Sequence, residues 1–144
     1  MIISNNKKFD QELHDKTDVP ARTVTKYYVG RFGYDAEDNP NIYGVDLIVK
    51  DLCYIEVECR LMWDKNDAVF PYKTLHVPHR KRKFFNQDLP VLLFTWNKAL
   101  THFIRLHENV IKSSPVIEIP TQAMPEGECF YDVDISQGKI VQFT

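Results

Sequence analysis

The residues Tyr43-Gly44-Val45-Asp46-Leu47-Ile48-Val49, a polar break at Lys50-Asp51, and Cys53-Tyr54-Ile55-Glu56-Val57-Glu58-Cys59-Arg60-Leu61-Met62-Trp63 decide how this chain folds. Both halves are rich in β-branched and apolar residues and the break is short, which predicts two strands joined as a hairpin. Successive side chains of a strand point to opposite faces. Tyr54, Glu56, Glu58 and Arg60 therefore share one face, and Ile55, Val57, Cys59 and Leu61 share the other. The second set reads as a core face. The first aligns two carboxylates and a guanidinium, with same-face neighbours roughly 7 Å apart.

Asp46 adds a third carboxylate, and the loop length decides what it meets. A loop of two residues would set it opposite Val57, on the wrong face. A loop of three or five would set it beside Glu56 or Glu58, because a one-residue slip turns every side chain over. The expectation is that Asp46, Glu56 and Glu58 converge. One pair of carboxylates at ~4 Å repels by about 4 kcal/mol at an effective dielectric of about 20. Such a cluster needs a cation, a proton or several hydrogen-bond donors. Oxygen-only ligands suit Mg²⁺, Mn²⁺ or Ca²⁺ better than Zn²⁺. The competing reading is a set of salt bridges on an exposed sheet face, with Lys50, Arg60 or Lys73 as partners.

The 144 residues suit one domain. Hydrophobic residues make up 44%, enough for a core, and the net charge of −2 makes any nucleic-acid surface a local patch. No apolar run approaches the ~20 residues that span a bilayer, and the first residues lack the apolar centre of a signal peptide. The expectation is a soluble, intracellular, cytoplasmic protein with no membrane partner. Cys53, Cys59 and Cys129 read as buried reduced thiols. The first two would lie about 20 Å apart along one strand, too far for a disulfide.

Before the hairpin, Phe9 and Leu13 at helical spacing suggest a short helix in residues 1–17. Asp18 reads as the N-cap of a second helix with Pro20 in its first turn. That helix carries Val24, Tyr27, Tyr28 and Phe32 and stops at Gly33. Arg22, Lys26 and Arg31 lie on its polar face. Residues 34–42 read as a loop. After the hairpin, residues 69–77 read as an extended segment. Pro78 opens a short basic helix containing His79, Arg80, Lys81, Arg82 and Lys83. Val91 to Trp96 is a near-continuous apolar run, the mark of a central strand covered on both faces. Leu100 to Leu106 is predicted to pair back on it. Residues 115–119 form a strand, and Cys129–Ile135 with Lys139–Phe143 form a terminal hairpin. The fold class is α+β (mixed α/β), a single domain with a central mixed β-sheet flanked by helices.

The order of these elements resembles the PD-(D/E)XK nuclease superfamily: a helix, a strand with Gly-x-Asp at Gly44 and Asp46, a strand with Glu-x-Glu-x-Arg, a basic helix, a buried strand. The resemblance covers residues 18–106 as a restriction-endonuclease-like core, with 107–144 as C-terminal strands outside it and 1–17 as an arm or short helix. It implies a metal-dependent nuclease that hydrolyses DNA phosphodiester bonds with Mg²⁺ or Mn²⁺. Asp46, Glu56 and Glu58 would bind the metal, and Arg60 and Lys73 would complete the catalytic set. The tripeptide reads in two frames. Glu56-Val57-Glu58 puts Glu58 at the Lys position, and Glu58-Cys59-Arg60 puts Arg60 there. Arg60 keeps the charge but cannot act as a base, and Lys73 is the expected source of the missing amine. Lys73, Arg80, Lys81, Arg82 and Lys83 would contact the DNA backbone, and a solvated helix face is the plain alternative for that run. Tyr54, Trp63 and Trp96 suit base stacking or, more simply, core packing. His76 and His79 are too few for a zinc site. A homodimer would suit cleavage of two strands. A catalytically inactive nucleic-acid binder or a protein-interaction domain on the same fold stays open.

Overall fold

A computed structural model describes the backbone of residues 11–143 and the side chains of residues 17–143. The helix expected around Phe9 and Leu13 falls partly outside these: Phe9 is not described, and of Leu13 only the backbone is.

A six-stranded mixed sheet forms the middle layer. Its strands are β1 (Ala36–Asp38), β2 (Leu47–Val49), β3 (Cys53–Arg60), β5 (Val91–Asn97), β6 (His102–His107) and β9 (Lys139–Gln142), in that spatial order. Neighbours are antiparallel except β3 and β5, which run parallel. The helix α1 (Gln11–Gly30) covers one face. A three-stranded antiparallel sheet covers the other, in the order β4 (Thr74–Pro78), β8 (Glu128–Asp134), β7 (Val116–Ile119). A 3-10 turn (His79–Phe84) and the short helix α2 (Glu108–Lys112) complete this side. The protein is α+β, and its second face carries strands where a flanking helix was expected.

Alternation builds the two cores. Leu47, Val49, Cys53, Ile55 and Val57 face α1 and pack with Ala21, Phe94, Trp96 and Phe103. Val91, Leu93, Ile104 and Leu106 face the small sheet and pack with Leu75, Val77, Tyr131 and Val133. β5 is thus covered on both faces, as its apolar run predicts. Trp63 and Trp96 are buried in these cores and offer no ring to a base.

Four expectations need correction. α1 does not start at Asp18: it begins at Gln11 and carries Pro20 inside it, tolerating one missing N–H. Asp18 lies inside the helix, and its carboxylate accepts from Cys59 N–H. Ala36–Asp38, read as loop, pairs with β2, which supplies the order that local propensity does not. The last two strands do not form a hairpin. A 3-10 turn (Ile135–Gln137) separates them, and β8 joins β4 while β9 joins β6. Of the three cysteines only Cys53 is buried; Cys59 is half-buried and Cys129 exposed.

Between β2 and β3 the connection is Lys50-Asp51-Leu52. Asp51 takes φ of 64°, a left-handed conformation that Asp tolerates better than most residues. Leu52 N–H closes the turn on the Val49 carbonyl at 3.0 Å. The three-residue turn pairs Leu47 with Ile55 and Val49 with Cys53. One step further along this register lies Asp46 against Glu56.

Phe103 is fully buried, with its ring 4.7 Å from Phe94, 4.6 Å from Trp96 and 4.8 Å from Tyr28. Phe103→Ala should cost about 3–5 kcal/mol, read as a lower urea midpoint at unchanged slope. A loss under ~1 kcal/mol would contradict this packing.

Candidate functional site

β2 stops at Leu47 while β3 continues to Arg60, so the outward amides of β3 beyond Ile55 lose their strand partner. Carboxylates replace it. Asp46 Oδ2 accepts from Val57 N–H at 2.8 Å, and Asp18 Oδ1 accepts from Cys59 N–H at 3.3 Å. Glu56 answers in the other direction: its Oε1 accepts from Asp46 N–H at 3.1 Å. The Asp46 side chain is thus tied to the backbone of Val57, and its own backbone N–H to the Glu56 side chain.

Glu56 is 5% exposed, a depth at which carboxylates are almost always paired. The partner is Lys81, whose Nζ lies 2.7 Å from Glu56 Oε2. The 3-10 turn splits the basic run by side. Lys81 points inward to the acids, whereas Arg80, Arg82 and Lys83 stay exposed. Arg80 pairs with Glu128 at 2.8 Å, Arg82 bonds the His79 carbonyl at 3.1 Å, and Lys83 lies over the Phe84 ring.

Glu58, two residues on, accepts at Oε1 from Thr95 Oγ1 at 2.9 Å and from Arg60 Nε at 3.0 Å. Arg60 is held in turn by the His76 carbonyl of β4, 2.7 Å from Nη2. Arg22 of α1 stands 3.9 Å from Asp46 Oδ1. Each acid thus has its own cation: Arg22 for Asp46, Lys81 for Glu56, Arg60 for Glu58.

The structure brings Asp46, Glu56, Glu58 and Arg60 together as the alternation requires. It does not bring Lys73, which is exposed just ahead of β4 and forms no ion pair among the described residues. The amine at the acids is that of Lys81. Lys81, Thr95, Arg22 and Asp18 are the site residues that sequence reasoning did not place there. The one signal available was the three-residue repeat of a 3-10 turn, which puts Lys81 and the half-buried Phe84 on one side.

Burial lifts the Glu56 carboxyl above its ordinary 4.5, and the Asp46 charge adds to the lift against the opposing pull of Lys81. Burial works to lower the Lys81 ammonium. The negative charges of Glu56 and then Glu58, with the Glu56 hydrogen bond and Asp46, outweigh it and hold the pKa above 10.5. Burial, then Asp18 and Glu58, push the Cys59 thiol up to about 11, so it offers no thiolate at neutral pH.

The acids fit a hard divalent cation by donor chemistry, since all their ligand atoms are oxygen. Asp46 and Glu58 are also open to solvent, at 25% and 19% side-chain exposure. Among the described residues no three His, Cys, Asp or Glu side chains are already drawn together as a metal cage. The ammonium of Lys81 stands where the charges converge, so a dication entering there competes with it for Glu56.

No protein-family model, curated protein or solved structure matches this chain. No helix among the described residues is long and apolar enough to cross a membrane.

Removing Lys81 leaves a buried carboxylate alone. Lys81→Met should cost about 3 kcal/mol at pH 8. The penalty should shrink as pH falls towards 5, because Glu56, already lifted above 4.5, then escapes by taking a proton. In the parent protein the raised Lys81 pKa contributes stability that is full below 10.5 and is lost as pH rises through the folded value. Denaturant melts across this range check both. A pH-independent penalty for Lys81→Met would contradict the pairing.

Proposed function

We propose that the protein is a metal-dependent nuclease that hydrolyses phosphodiester bonds in DNA, on a restriction-endonuclease-like core. One observation carries this reading. Asp46 at the head of one strand and Glu56 with Glu58 on the next surround a single inward-turned lysine, Lys81, on a mixed sheet. That is the acid pattern of the PD-(D/E)XK resemblance, with Lys81 supplying the amine that the Glu-x-Glu-x-Arg segment lacks.

Asp46, Glu56 and Glu58 would hold Mg²⁺ or Mn²⁺. The ion, when bound, supplies a nucleophilic hydroxide at neutral pH and polarises the phosphate. The chain's own groups do the rest. The bonds from Val57 N–H to Asp46 and from Asp46 N–H to Glu56 hold these two carboxylates in place. Thr95 and Arg60 orient Glu58. Arg60 remains protonated and serves as a positioning charge, not a base. Lys81 Nζ brings positive charge to the oxygens on which negative charge grows during attack. Arg80, Arg82, Lys83 and Lys73 are exposed and would contact backbone phosphates, each contact adding salt dependence.

A second reading has its own support. Each acid is already matched to a cation, and Asp46 caps a strand edge. That is what a non-catalytic nucleic-acid-binding or protein-interaction domain on this fold would show.

Asp46→Asn separates the two readings. Asparagine Oδ1 still accepts from Val57 N–H, so the fold should hold. A single carboxylate ligand is lost, and Mn²⁺-dependent cleavage of oligonucleotides and plasmid should fall by about 10²-fold or more. Glu56→Gln should do the same. No cleavage by the parent protein in Mg²⁺ or Mn²⁺, or equal cleavage by Asp46→Asn, would remove the nuclease reading.

A further inference from the structure

Beside the acids lies a cleft of about 350 Å³. Three short steps along the chain place it there. Gly44 and Val45, which lead into Asp46, line one side. Tyr54 lines another; it lies two residues before Glu56 on the same face of β3, about 7 Å along the strand. Phe84 closes a third, three residues after Lys81 and so on the same side of the 3-10 turn.

The remaining lining is Asn39, Asn41, Tyr43, Ile48, Lys83 and Gln87. Asn39, Asn41 and Gln87 each carry a group that is both donor and acceptor, the combination that reads base edges. Asn39 Oδ1 accepts from Asn41 N–H and Asn41 Oδ1 from Tyr43 N–H, both at 3.0 Å, which fixes the loop and leaves two NH₂ donors. Gln87 Nε2 donates to the Phe84 carbonyl at 2.6 Å, which leaves its oxygen as an acceptor. Gly44 leaves room for the Asn39 amide, since a Cβ there would sit 2.5 Å from its nitrogen and the side chain would have to shift. Tyr43, which lines the cleft, is 80% exposed, a large aromatic side chain in water. The Tyr54 ring is steadied by its hydroxyl, which donates to Asp88 at 2.6 Å. Lys83 is the one charged side chain of the lining.

A cleft for phosphates would be lined with cations. This one offers aromatic faces and amide edges, and a paired, stacked base cannot present its face to them. We infer that the cleft holds one unpaired nucleobase against Tyr43 and Tyr54 while the neighbouring phosphate lies at the acids, so that the substrate is single-stranded or flap-bearing DNA. The inference rests on the nuclease reading above and narrows its substrate.

The test compares a single-stranded oligonucleotide with its blunt duplex in Mn²⁺. The parent protein should cleave the single strand about tenfold more efficiently. Tyr43→Ala should raise KM for the single strand about tenfold, a larger loss than it causes on the duplex. Tyr43→Trp should keep the parent KM, because stacking needs only a ring. Tyr43 is exposed, so Tyr43→Ala should melt with the parent, and folding does not cloud the result. A 2-aminopurine placed beside the cut should change fluorescence on binding the parent but not Tyr43→Ala. Equal cleavage of duplex and single strand, with Tyr43→Ala indistinguishable from the parent, would overturn the base cleft and leave the nuclease standing. Failure of the parent to cleave either DNA would overturn both.

Discussion

The 2.7 Å contact between Lys81 Nζ and Glu56 Oε2 is the constraint that the candidate site depends on. A carboxylate at 5% exposure is not tolerated unless its charge is answered. The answer comes from a 3-10 turn in another part of the chain, which ties the crossover between β3 and β5 to the middle of the sheet. Breaking such a pair is costly even though forming it gains little, since desolvation of both ions offsets their attraction. The pair is therefore better understood as a positioning device than as a source of stability. It sets the 3-10 turn over the acids and, with it, the exposed cations that follow.

Around that pair the acids are held by backbone geometry rather than by packing. β2 is shorter than β3, and the free edge of β3 is finished by Asp46 and Asp18 instead of by a strand. The same arrangement protects an edge that would otherwise invite pairing with another chain and gathers carboxylates at one place. A structural role and a catalytic role are thus compatible here. Asp46 can cap Val57 with Oδ2 while Oδ1 faces solvent and Arg22.

Much of this was legible in the sequence because it follows from period-two alternation. Glu56, Glu58 and Arg60 share a face by parity alone. Asp46 joins them because Lys50-Asp51-Leu52 is a three-residue turn, one of the lengths that permits it. The apolar run at Val91–Trp96 declared its two-sided burial. What was not legible depends on contacts distant in sequence. The four cations of the 3-10 turn look equivalent in order of residues; only the packed turn shows that Lys81 faces inward and Lys73 stays outside. Asp18 followed by Pro20 imitates a helix start, and nothing local shows that α1 passes through both. Cys129–Ile135 and Lys139–Phe143 imitate a hairpin, yet the 3-10 turn between them sends each strand to a different sheet. Ala36–Asp38 has poor strand propensity and is ordered by contacts distant in sequence, its pairing with β2 and the Lys26–Asp38 ion pair to α1.

A hard divalent ion bound here would compete with Lys81 for these acids. Crystals soaked in Mn²⁺ and measured for anomalous scattering test it most directly. The proposed metal site should give a peak within bonding distance of Asp46, Glu56 and Glu58 oxygens, with Lys81 Nζ drawn away from Glu56. Absence of a peak at saturating Mn²⁺, with the Lys81 contact unchanged, would contradict it.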